Sequence, residues 1–377
     1  MNAELGPTYD DLQQVYRASD PRFAGHQQAE AVVVGVDGIT VLCSANSHGD
    51  GEHTWLIQLA DDGGLRWERH YALSYGVGHA LAAYPGGGFV IAGDVQRGEM
   101  AYRACLLRVR ADGEVLQSAA FGSDGVTGFN TVVVLTDGSL LAGGTAERKG
   151  WLMQADGVLR ATWDRQIGDS DQVTSLVPLA DSGFALAALL DQSTTTFGMA
   201  CLASFSGDQR VRWQLRLPTE GRAEPAALIA LPGGGMAVAG YYAAHERAAA
   251  QLWVVQVDAK GEVVWERLLG PAEEERRGRA IVSLANGCVV VAGDAVRDSE
   301  RSLRLACLAA DGAVVWERSY GGGERAQDIA RGLACTADSG LVLVGSTMTK
   351  GPGKTNVWIL RLDAEGRLLW DRAFGGA

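Results

Sequence analysis

The sequence predicts an all-β protein built from one repeated four-stranded unit, and three observations lead to this prediction. A segment with a central Trp recurs along the chain, as in "GEVVWERLLG" at 261–270. Short apolar runs alternate with Gly-rich turns at even spacing. No long segment shows the 3.6-residue period of an amphipathic helix. A unit of about 50 residues with four antiparallel strands, repeated four to eight times, is typical of a β-propeller, and seven copies predict seven blades.

The Trp of the recurrent segment marks the register of the repeats. The position twelve residues before it is apolar in six of the seven copies. Because this offset needs no gap in any copy, we predict a rigid hairpin that is repeated seven times. The markers are Trp67, Gln117, Trp163, Trp213, Trp265, Trp316 and Trp370, and the earlier positions are Trp55, Cys105, Trp151, Cys201, Trp253, Arg304 and Trp358.

Each copy predicts four strands in a fixed order. The first is an apolar run such as "AALIAL" at 226–231, followed by a Gly turn and a second strand such as "VVVAG" at 289–293. A variable polar loop leads to a third strand such as "VWILRLD" at 357–363, and a tight Asp/Gly turn leads to the fourth strand with the Trp. A single blade has two apolar faces. Radial stacking buries both, and closing the ring removes the terminal edges.

The predicted domain organisation is one propeller at 28–377 preceded by an N-terminal closing segment at 1–27. Tyr16 lies 15 residues before Ala31, the same spacing as from Trp265 to Ala280. Residues 12–18 therefore predict an extra outer strand, either the fourth or a fifth strand of the last blade. The predicted blades span about 28–73, 74–123, 124–169, 170–219, 220–271, 272–322 and 323–377.

Composition narrows the class of partner. The formal net charge of −12 and the pI near 5.0 argue against nucleic acid and anionic membranes, which require a basic surface. No apolar run approaches the roughly 18 residues of a membrane span. The first 20 residues lack the basic and apolar regions of a secretory signal. We expect a soluble cytoplasmic monomer, or a periplasmic or secreted protein if a leader has been removed.

The six cysteines form no Cys-x-x-Cys spacing, and each lies in an apolar, strand-like run. This pattern predicts buried free thiols, which suit a reducing compartment. The alternative is a disulfide between blades in a secreted protein.

The repeats also carry a family resemblance. The units "VDAKGEVVWERLLG" at 257–270 and "LDAEGRLLWDRAFGG" at 362–376 resemble the repeats of bacterial seven-bladed propellers. Their Asp-x-x-Gly-x-x-x-Trp spacing is similar to the tryptophan-docking motif of quinoprotein propellers, and the likeness covers about 28–376. The resemblance implies the fold but not a function, because this architecture hosts enzymes, scaffolds and binding proteins. No cluster corresponds to the catalytic Asp and the calcium and quinone site of that family, so no cofactor is predicted.

The start of each innermost strand predicts the lining of a central channel. A ring of small residues is expected at Ala31, Ala80, Asn130, Ser175, Ala227, Ala280 and Gly332. The preceding positions are Glu30, His79, Phe129, Thr174, Ala226, Arg279 and Arg331. A glycosidase needs two acids, whereas this ring has one. The mouth therefore predicts a site for an anionic ligand, or no site, with Glu30, His79, Arg279 and Arg331 as the candidate ligand-binding residues.

Two loops resemble ligand-binding motifs. "SHGDGEHTW" at 47–55 brings His48, Asp50, Glu52 and His53 into one loop, where they could bind a divalent cation; the alternative is a solvated hairpin loop. "GPGKT" at 351–355 lacks the phosphate-loop pattern, because Met348 stands at the required glycine and a strand follows instead of a helix.

The absence of catalytic motifs favours a non-enzymatic function. We expect a protein-binding propeller that acts as a scaffold, adaptor or neutralising partner through its second-to-third strand loops, because variable loops on a rigid scaffold usually carry function. The charge run "AEEERRGR" at 272–279 belongs to this face or is simply solvated. The alternative function is an enzyme or a carbohydrate or small-ligand binder at the channel mouth. The Trp is expected to wedge between blades, and the following acid and Arg to discourage edge pairing.

Overall fold

A computed structural model describes residues 25–47, 51–71, 76–96, 101–122, 126–190, 198–217, 220–245, 247–351 and 354–375. Within these ranges the regular secondary structure is entirely β, in seven antiparallel sheets of four strands. This confirms the predicted seven-bladed propeller. None of the described residues forms a helix with the length and apolarity that a membrane crossing requires.

The strands follow one another along the chain, and each blade uses four consecutive strands. Blades one to three contain β1 (His26–Gly35), β2 (Gly38–Ser47), β3 (Gly51–Leu59), β4 (Leu65–Tyr71), β5 (Val77–Ala83), β6 (Phe89–Gln96), β7 (Tyr102–Val109), β8 (Val115–Phe121), β9 (Thr127–Val134), β10 (Leu140–Ala146), β11 (Lys149–Ala155) and β12 (Ala161–Gln166). Blades four and five contain β13 (Ser170–Pro178), β14 (Phe184–Leu190), β15 (Met199–Phe205), β16 (Val211–Leu217), β17 (Arg222–Ala230), β18 (Met236–Ala243), β19 (Gln251–Val257) and β20 (Val263–Leu269). Blades six and seven contain β21 (Glu275–Ser283), β22 (Val289–Arg297), β23 (Glu300–Leu308), β24 (Val314–Tyr320), β25 (Ile329–Cys335), β26 (Leu341–Thr347), β27 (Asn356–Leu362) and β28 (Leu368–Phe374).

The core lies between blades rather than within them. The first strand of each blade is innermost, and β1 contacts β5 on one side and β25 on the other, so the inner strands form a closed ring. A typical apolar cluster joins Val90 and Leu106 of blade two to Trp151 of blade three. The predicted N-terminal strand at 12–18 lies outside the described residues, and blade seven has its own fourth strand, β28.

The marker Trp lies on the fourth strand, and in five of the described blades it packs against a turn glycine of the next blade. A side-chain carbon added at Gly312 would lie 2.8 Å from the Trp265 ring, so glycine allows the close approach. Gly312 also has a φ of 78°, in the region that glycine adopts without strain. The Trp265 indole N–H donates to the Ala310 carbonyl oxygen at 2.9 Å. Trp213 docks in the same way on blade five and Trp370 on blade one, which closes the ring.

The two residues after this Trp also make structural contacts. Arg267 donates from Nε to the Gly312 carbonyl oxygen at 3.1 Å and from Nη2 to the Asp311 carbonyl oxygen at 3.0 Å. Glu266 accepts a hydrogen bond of 2.6 Å from the indole N–H of Trp253 in its own blade. These charges therefore do more than discourage edge pairing: the arginine joins two blades and the acid holds a buried indole. The second contact recurs in the pairs Trp151 with Asp164 and Trp358 with Asp371.

Blade two joins blade three by a different contact. Gln117 stands at the marker position, and no indole is present there. The Arg108 guanidinium carbon lies 3.8 Å from the centre of the Tyr84 ring, and Arg108 Nη1 donates to the Gly157 carbonyl oxygen. The Tyr84 hydroxyl donates to the Gly138 carbonyl oxygen at 3.0 Å. An arginine stacked on a tyrosine thus takes the place of the docked Trp.

The two ends of the ring differ in their connections. One end, the turn face, carries the first-to-second and third-to-fourth strand turns, and all seven third-to-fourth turns have five residues, from 60–64 to 363–367. The other end, the loop face, carries the second-to-third strand loops and the connections between blades. Its second-to-third loops range from two residues at 298–299 to eight at 348–355. The inner strands begin at the loop face, so this face surrounds the predicted channel mouth.

All six cysteines lie in described residues and are free thiols. Cys43, Cys105, Cys201 and Cys307 are buried, which confirms the prediction for these four, while Cys288 and Cys335 are partly exposed. Burial raises the pKa of the Cys43 and Cys105 thiols, so the thiolate, which is the reactive form, is disfavoured.

We expect Ellman's reagent to label the native protein slowly at about pH 8, because the buried thiols stay protonated. Labelling before denaturation should be confined to Cys288 and Cys335, and denaturation without reductant should release all six thiols. Rapid labelling of all six thiols in the folded protein would contradict their burial, and fewer than six after denaturation would indicate a disulfide.

Candidate functional site

The inner strands of all seven blades share an irregularity near their start. In blade two, Gly78 pairs with Gly93 and Ala80 pairs with Ala92, so the backbone register shifts by one residue at His79, which is the extra residue of the inner strand. This extra residue is a β-bulge, a feature that redirects a side chain and is common beside functional sites. The seven extra residues, here called the bulge ring, are Glu30, His79, Asn130, Thr174, Ala226, Arg279 and Arg331.

Most second-strand motifs end in a glycine, and the bulge explains why a side chain is not tolerated there. A side-chain carbon at Gly93 would overlap the carbonyl oxygen of Val77 on the inner strand. Glycine therefore lets the two backbones approach at the point where the register shifts. The same overlap applies to Gly144, Gly240, Gly293 and Gly345.

In blade three, the extra residue lies one position later than the sequence analysis predicted. Phe129 pairs with Gly144 and Thr131 pairs with Gly143, so Asn130 is the extra residue. Phe129 is fully buried and stacks on Trp151 with ring centres 5.0 Å apart. The placement of Phe129 at the mouth was wrong, as was that of Asn130 among the small residues. The doubled glycine at 143–144 is the sequence feature that indicates the shift.

The ionisable members of the bulge ring lie on four consecutive blades. The inner strands of blades six and seven, seven and one, and one and two contact each other in that order. These blades carry the four predicted mouth residues, which the structure brings to one equivalent position on a continuous arc. Along it lie Arg279, Arg331, Glu30 and His79, and the rest of the ring is the uncharged set Asn130, Thr174 and Ala226.

At two blades of the arc, the bulge-ring side chain is held by a carboxylate on the second strand. His79 Nε2 lies 2.8 Å from Asp94 Oδ2, and Arg279 Nε donates to Asp294 Oδ1 at 3.1 Å. The Asp294 side chain is only 1% exposed and also lies 3.6 Å from the Nε of Arg301. Asp94 and Asp294 occupy the same repeat position, one residue after the second-strand glycine. Sequence reasoning missed both partners.

Glu30 and Arg331 are connected through Gln28. Gln28 Nε2 and the Ser44 hydroxyl each donate to Glu30 Oε1 at 2.7 Å. Arg331 Nη2 donates to Gln28 Oε1 at 3.3 Å across the boundary between blades seven and one. The Arg331 Nε is buried and has no hydrogen-bond acceptor among the described residues. Arg331 therefore retains a donor at the mouth.

The bulge ring contains two arginines and one carboxylate. Glu30 is the only carboxylate among the seven bulge-ring positions, all of which are described. Glycoside hydrolysis uses two carboxylates that flank one bond. The guanidinium groups of Arg279 and Arg331 are partly exposed and suit an anionic group, because arginine donates two parallel hydrogen bonds to a carboxylate or phosphate.

A second charged group lies beside the mouth on blades five and six. The guanidinium carbons of Arg277 and Arg222 lie 4.9 Å and 5.7 Å from the centre of the Tyr241 ring. Burial and a hydrogen bond with Glu224 raise the pKa of Tyr241 to about 12, so the phenol stays neutral. Sequence reasoning did not select this group. In the sequence, this group is marked by "YY" at 241–242, which directly follows the second-strand glycine. Blades two and six have Asp at the position of the first Tyr.

The charge run at 272–279 is partly packed into the structure. The Arg276 side chain is 11% exposed and pairs with Glu274 and, at 3.6 Å, with Glu317. Arg304 Nη2 lies 3.5 Å from Glu274. Arg304 stands at the third-strand position where blades one, three, five and seven have Trp. The view of this run as a solvated face is therefore wrong for Glu274 and Arg276, which form an ion-pair network in place of an indole and its carboxylate.

The predicted metal-binding residues lie largely outside the part of the structure that is described. His48 and Asp50 are outside it, Glu52 is described only in its backbone pairing with Asn46, and His53 lies on β3. Among the described residues, no group of three or more His, Cys, Asp or Glu side chains is placed to hold a metal ion. The metal site remains a prediction.

The strand order and the closed ring define the class of protein as a seven-bladed β-propeller. No family model and no curated protein matches the sequence. Among solved structures, the chain is similar to a puromycin hydrolase mutant complexed with PGG, with a TM-score of 0.58 and 18% identity over 98% of this chain and 56% of that chain.

Two further similarities are weaker. A catalytically inactive virginiamycin B lyase from Staphylococcus aureus has a TM-score of 0.49 and 8% identity over 76% of this chain and 92% of that chain. The Pan2 WD40 domain of Neurospora crassa has a TM-score of 0.43 and 11% identity over 71% of this chain and 86% of that chain. At these identities, the similarities show the fold alone.

Proposed function

We propose that this protein is a non-enzymatic binding module that holds another protein on its loop face, as a scaffold, adaptor or neutralising partner. The contrast between the two ends of the ring carries the proposal. The third-to-fourth turns on the turn face keep a constant length and receive the docked Trp rings, whereas the second-to-third loops of the loop face vary from two to eight residues. Variable loops on a rigid scaffold are typical of recognition surfaces.

The charges at the mouth suggest the chemistry of the bound segment. Arg222, Arg277, Arg279 and Arg331 lie together at the start of the inner strands of blades five to seven, and each is partly exposed. Arg222, Arg277 and Arg279 are each paired with an acid, Glu224, Glu275 or Asp294, so the donors that remain for an acidic segment of a partner include the Nε groups of Arg222 and Arg331. Complementary charge of this kind mainly increases the association rate and the specificity.

We also propose that the repeats belong with the tryptophan-docking repeats of quinoprotein-like bacterial propellers. The support is the docking of Trp265 on Gly312 with its indole hydrogen bond to the Ala310 carbonyl oxygen. This grouping concerns the architecture and leaves the partner undefined.

Site-specific photo-crosslinking in the native host tests the proposed surface. A photoreactive phenylalanine analogue is placed singly at three exposed arginines of the loop face, Arg247, Arg297 and Arg325. Matched positions on the turn face are the exposed arginines Arg110, Arg210 and Arg367. Every variant loses one positive charge from an exposed arginine, so a difference between the sets reports position. We expect one common protein adduct from the loop-face set and none from the turn-face set.

Adducts of equal yield from both faces, or from the turn face alone, would contradict the proposal. The alternative of a small-ligand, carbohydrate or enzymatic site has one observation in its favour, the buried Nε of Arg331 at the mouth. The same experiment separates the two functions, because a site for a small ligand gives no protein adduct at any of the six positions.

A further inference from the structure

Between blades three and four the structure contains an open cleft of about 190 Å³. Leu190, Cys201, Ala203 and Phe205 form an apolar wall and are all at least nine-tenths buried. The cleft extends along the interface from the blade connection at Gly168, on the loop face, to Phe205 and Val211, which flank a turn of the turn face.

The repeat explains why a cleft lies at this interface. Two positions meet between neighbouring blades: the residue four after the marker and, on the next blade, the residue twelve before its marker. Only the pair of Ile167 and Cys201 lacks an aromatic ring and an arginine. By repeat position the seven pairs are Tyr71 with Cys105, Phe121 with Trp151, Ile167 with Cys201, Leu217 with Trp253, Leu269 with Arg304, Tyr320 with Trp358, and Phe374 with Trp55, and the members of every pair except Leu269 with Arg304 share one apolar cluster.

The size of the cleft fits a single ring. An engineered apolar cavity of roughly 150 Å³ stays dry and binds benzene. The cleft between blades three and four is somewhat larger, and side chains that pack at the equivalent place in other blades include Trp151 and Tyr320. The cleft is therefore large enough for one ring, and the apolar wall described above can pack against it.

Polar groups at the edge of the cleft refine this chemistry. The Arg165 Nε is buried and has no hydrogen-bond acceptor among the described residues, although Arg165 Nη1 donates to the Gln209 carbonyl oxygen at 3.2 Å. The Arg165 guanidinium carbon also lies 4.8 Å from the centre of the Phe205 ring. Gln214 Nε2 is directed to the Cys201 sulfur at 3.1 Å. An acceptor on the bound ring would satisfy the unpaired Nε–H group.

We infer that this cleft binds an aromatic side chain of the partner protein, and that a tyrosine phenol, with its hydroxyl oxygen as the acceptor, fits best. The partner supplies the ring that the repeat lacks at this interface. Buried aromatic anchors of this type carry much of the binding energy in protein interfaces. The inference rests on the proposed function for the source of the ring, but the cleft itself can be tested without a partner.

The test uses p-cresol, the side chain of tyrosine, in ligand-observed saturation-transfer NMR with the full-length protein. We expect saturable binding in the millimolar range, as for a ligand of this size. 4-Methylcyclohexanol, which has a similar size and a hydroxyl group but no flat ring, should bind at least fivefold more weakly.

Two variants fill the cleft by different routes. Cys201→Trp copies the third-strand Trp of blades three, five and seven, and Ile167→Tyr copies Tyr71 and Tyr320. Each should abolish p-cresol binding and melt at or above the wild-type temperature, because a filled cavity stabilises the fold. Arg367→Gln, at an exposed position in the third-to-fourth turn of blade seven, is the control and should bind p-cresol like the wild type.

Absence of saturable p-cresol binding to the wild type, or binding that persists in both filled variants, would overturn the inference. Equal binding of 4-methylcyclohexanol would overturn the aromatic specificity. If p-cresol binds the cleft but no partner is crosslinked on the loop face, the proposed function fails while the ring site stands. If a partner is crosslinked and p-cresol does not bind, the reverse holds.

Discussion

Replacement of Trp265 with alanine is expected to lower the free energy of unfolding by about 3–5 kcal/mol, the usual cost of truncating a buried Trp. The side chain is 6% exposed and packs with apolar residues of blades five and six. Alanine would leave a cavity above Gly312 and remove the hydrogen bond to the Ala310 carbonyl oxygen. Urea denaturation followed by Trp fluorescence and circular dichroism measures the change.

Two variants on the same strand isolate the cause. Trp265→Phe keeps an aromatic ring at the docking site but loses the indole hydrogen bond, so its loss should be clearly smaller than that of the alanine variant. Val264→Ala changes the adjacent side chain, which is 54% exposed, and should cost about 0.5 kcal/mol or less. Equal losses for Trp265→Ala and Val264→Ala would show that the Trp does not join the blades.

Replacement of Asp294 with asparagine should cost about 3 kcal/mol, the lower end of the range for breaking a buried ion pair. The carboxylate is 1% exposed and lies between Arg279 and Arg301, which are 27% and 25% exposed. Asparagine has a similar shape but no charge, so the two guanidinium groups would lose their shared counter-ion. The lower end of the range applies because both arginines retain some contact with water.

The matched control is Asp94→Asn, which changes the same repeat position in blade two. The Asp94 side chain is 21% exposed and lies beside His79, whose side chain is 36% exposed, so the loss should stay near 1 kcal/mol. Thermal unfolding of both variants at neutral pH provides the comparison. If Asp94→Asn cost as much as Asp294→Asn, burial between two arginines would not explain the role of Asp294.

The sequence was sufficient for the architecture because the repeat encodes it locally. The marker Trp, the five-residue Asp/Gly turn before it and the second-strand glycine each occur at fixed offsets, and each has a backbone or packing reason in the structure. The register of blade three was predicted one residue out, because two consecutive glycines, Gly143 and Gly144, both suit the position opposite the bulge. A clash with the inner-strand carbonyl at Gly144 decides between the two in three dimensions.

The candidate site was predictable in position but not in chemistry. Glu30, His79, Arg279 and Arg331 were selected from their place before a small residue, and the bulge puts all four at one structural position. Their partners are set by pairing between strands. Asp94 and Asp294 come 15 residues after the residues that they hold, on the second strand, and pattern reasoning did not connect them.

The charge run at 272–279 is a second case in which the sequence did not reveal the side-chain partners. In sequence, Glu274 and Arg276 look like exposed loop residues. In the structure, they pair around Arg304, which occupies a position that is usually Trp. A substitution 30 residues away therefore determines whether these charges are solvated or packed, and only the folded blade brings the two segments together.

The repeated Trp motif thus has a structural role on the turn face, whereas the proposed function uses the loop face at the other end of the ring. The most direct test compares crosslinking from Arg247 on the loop face with crosslinking from Arg210 on the turn face, both of which are exposed. A protein adduct at 247 without one at 210 is the predicted result. An adduct at 210 without one at 247 would contradict the assignment of the loop face as the binding surface.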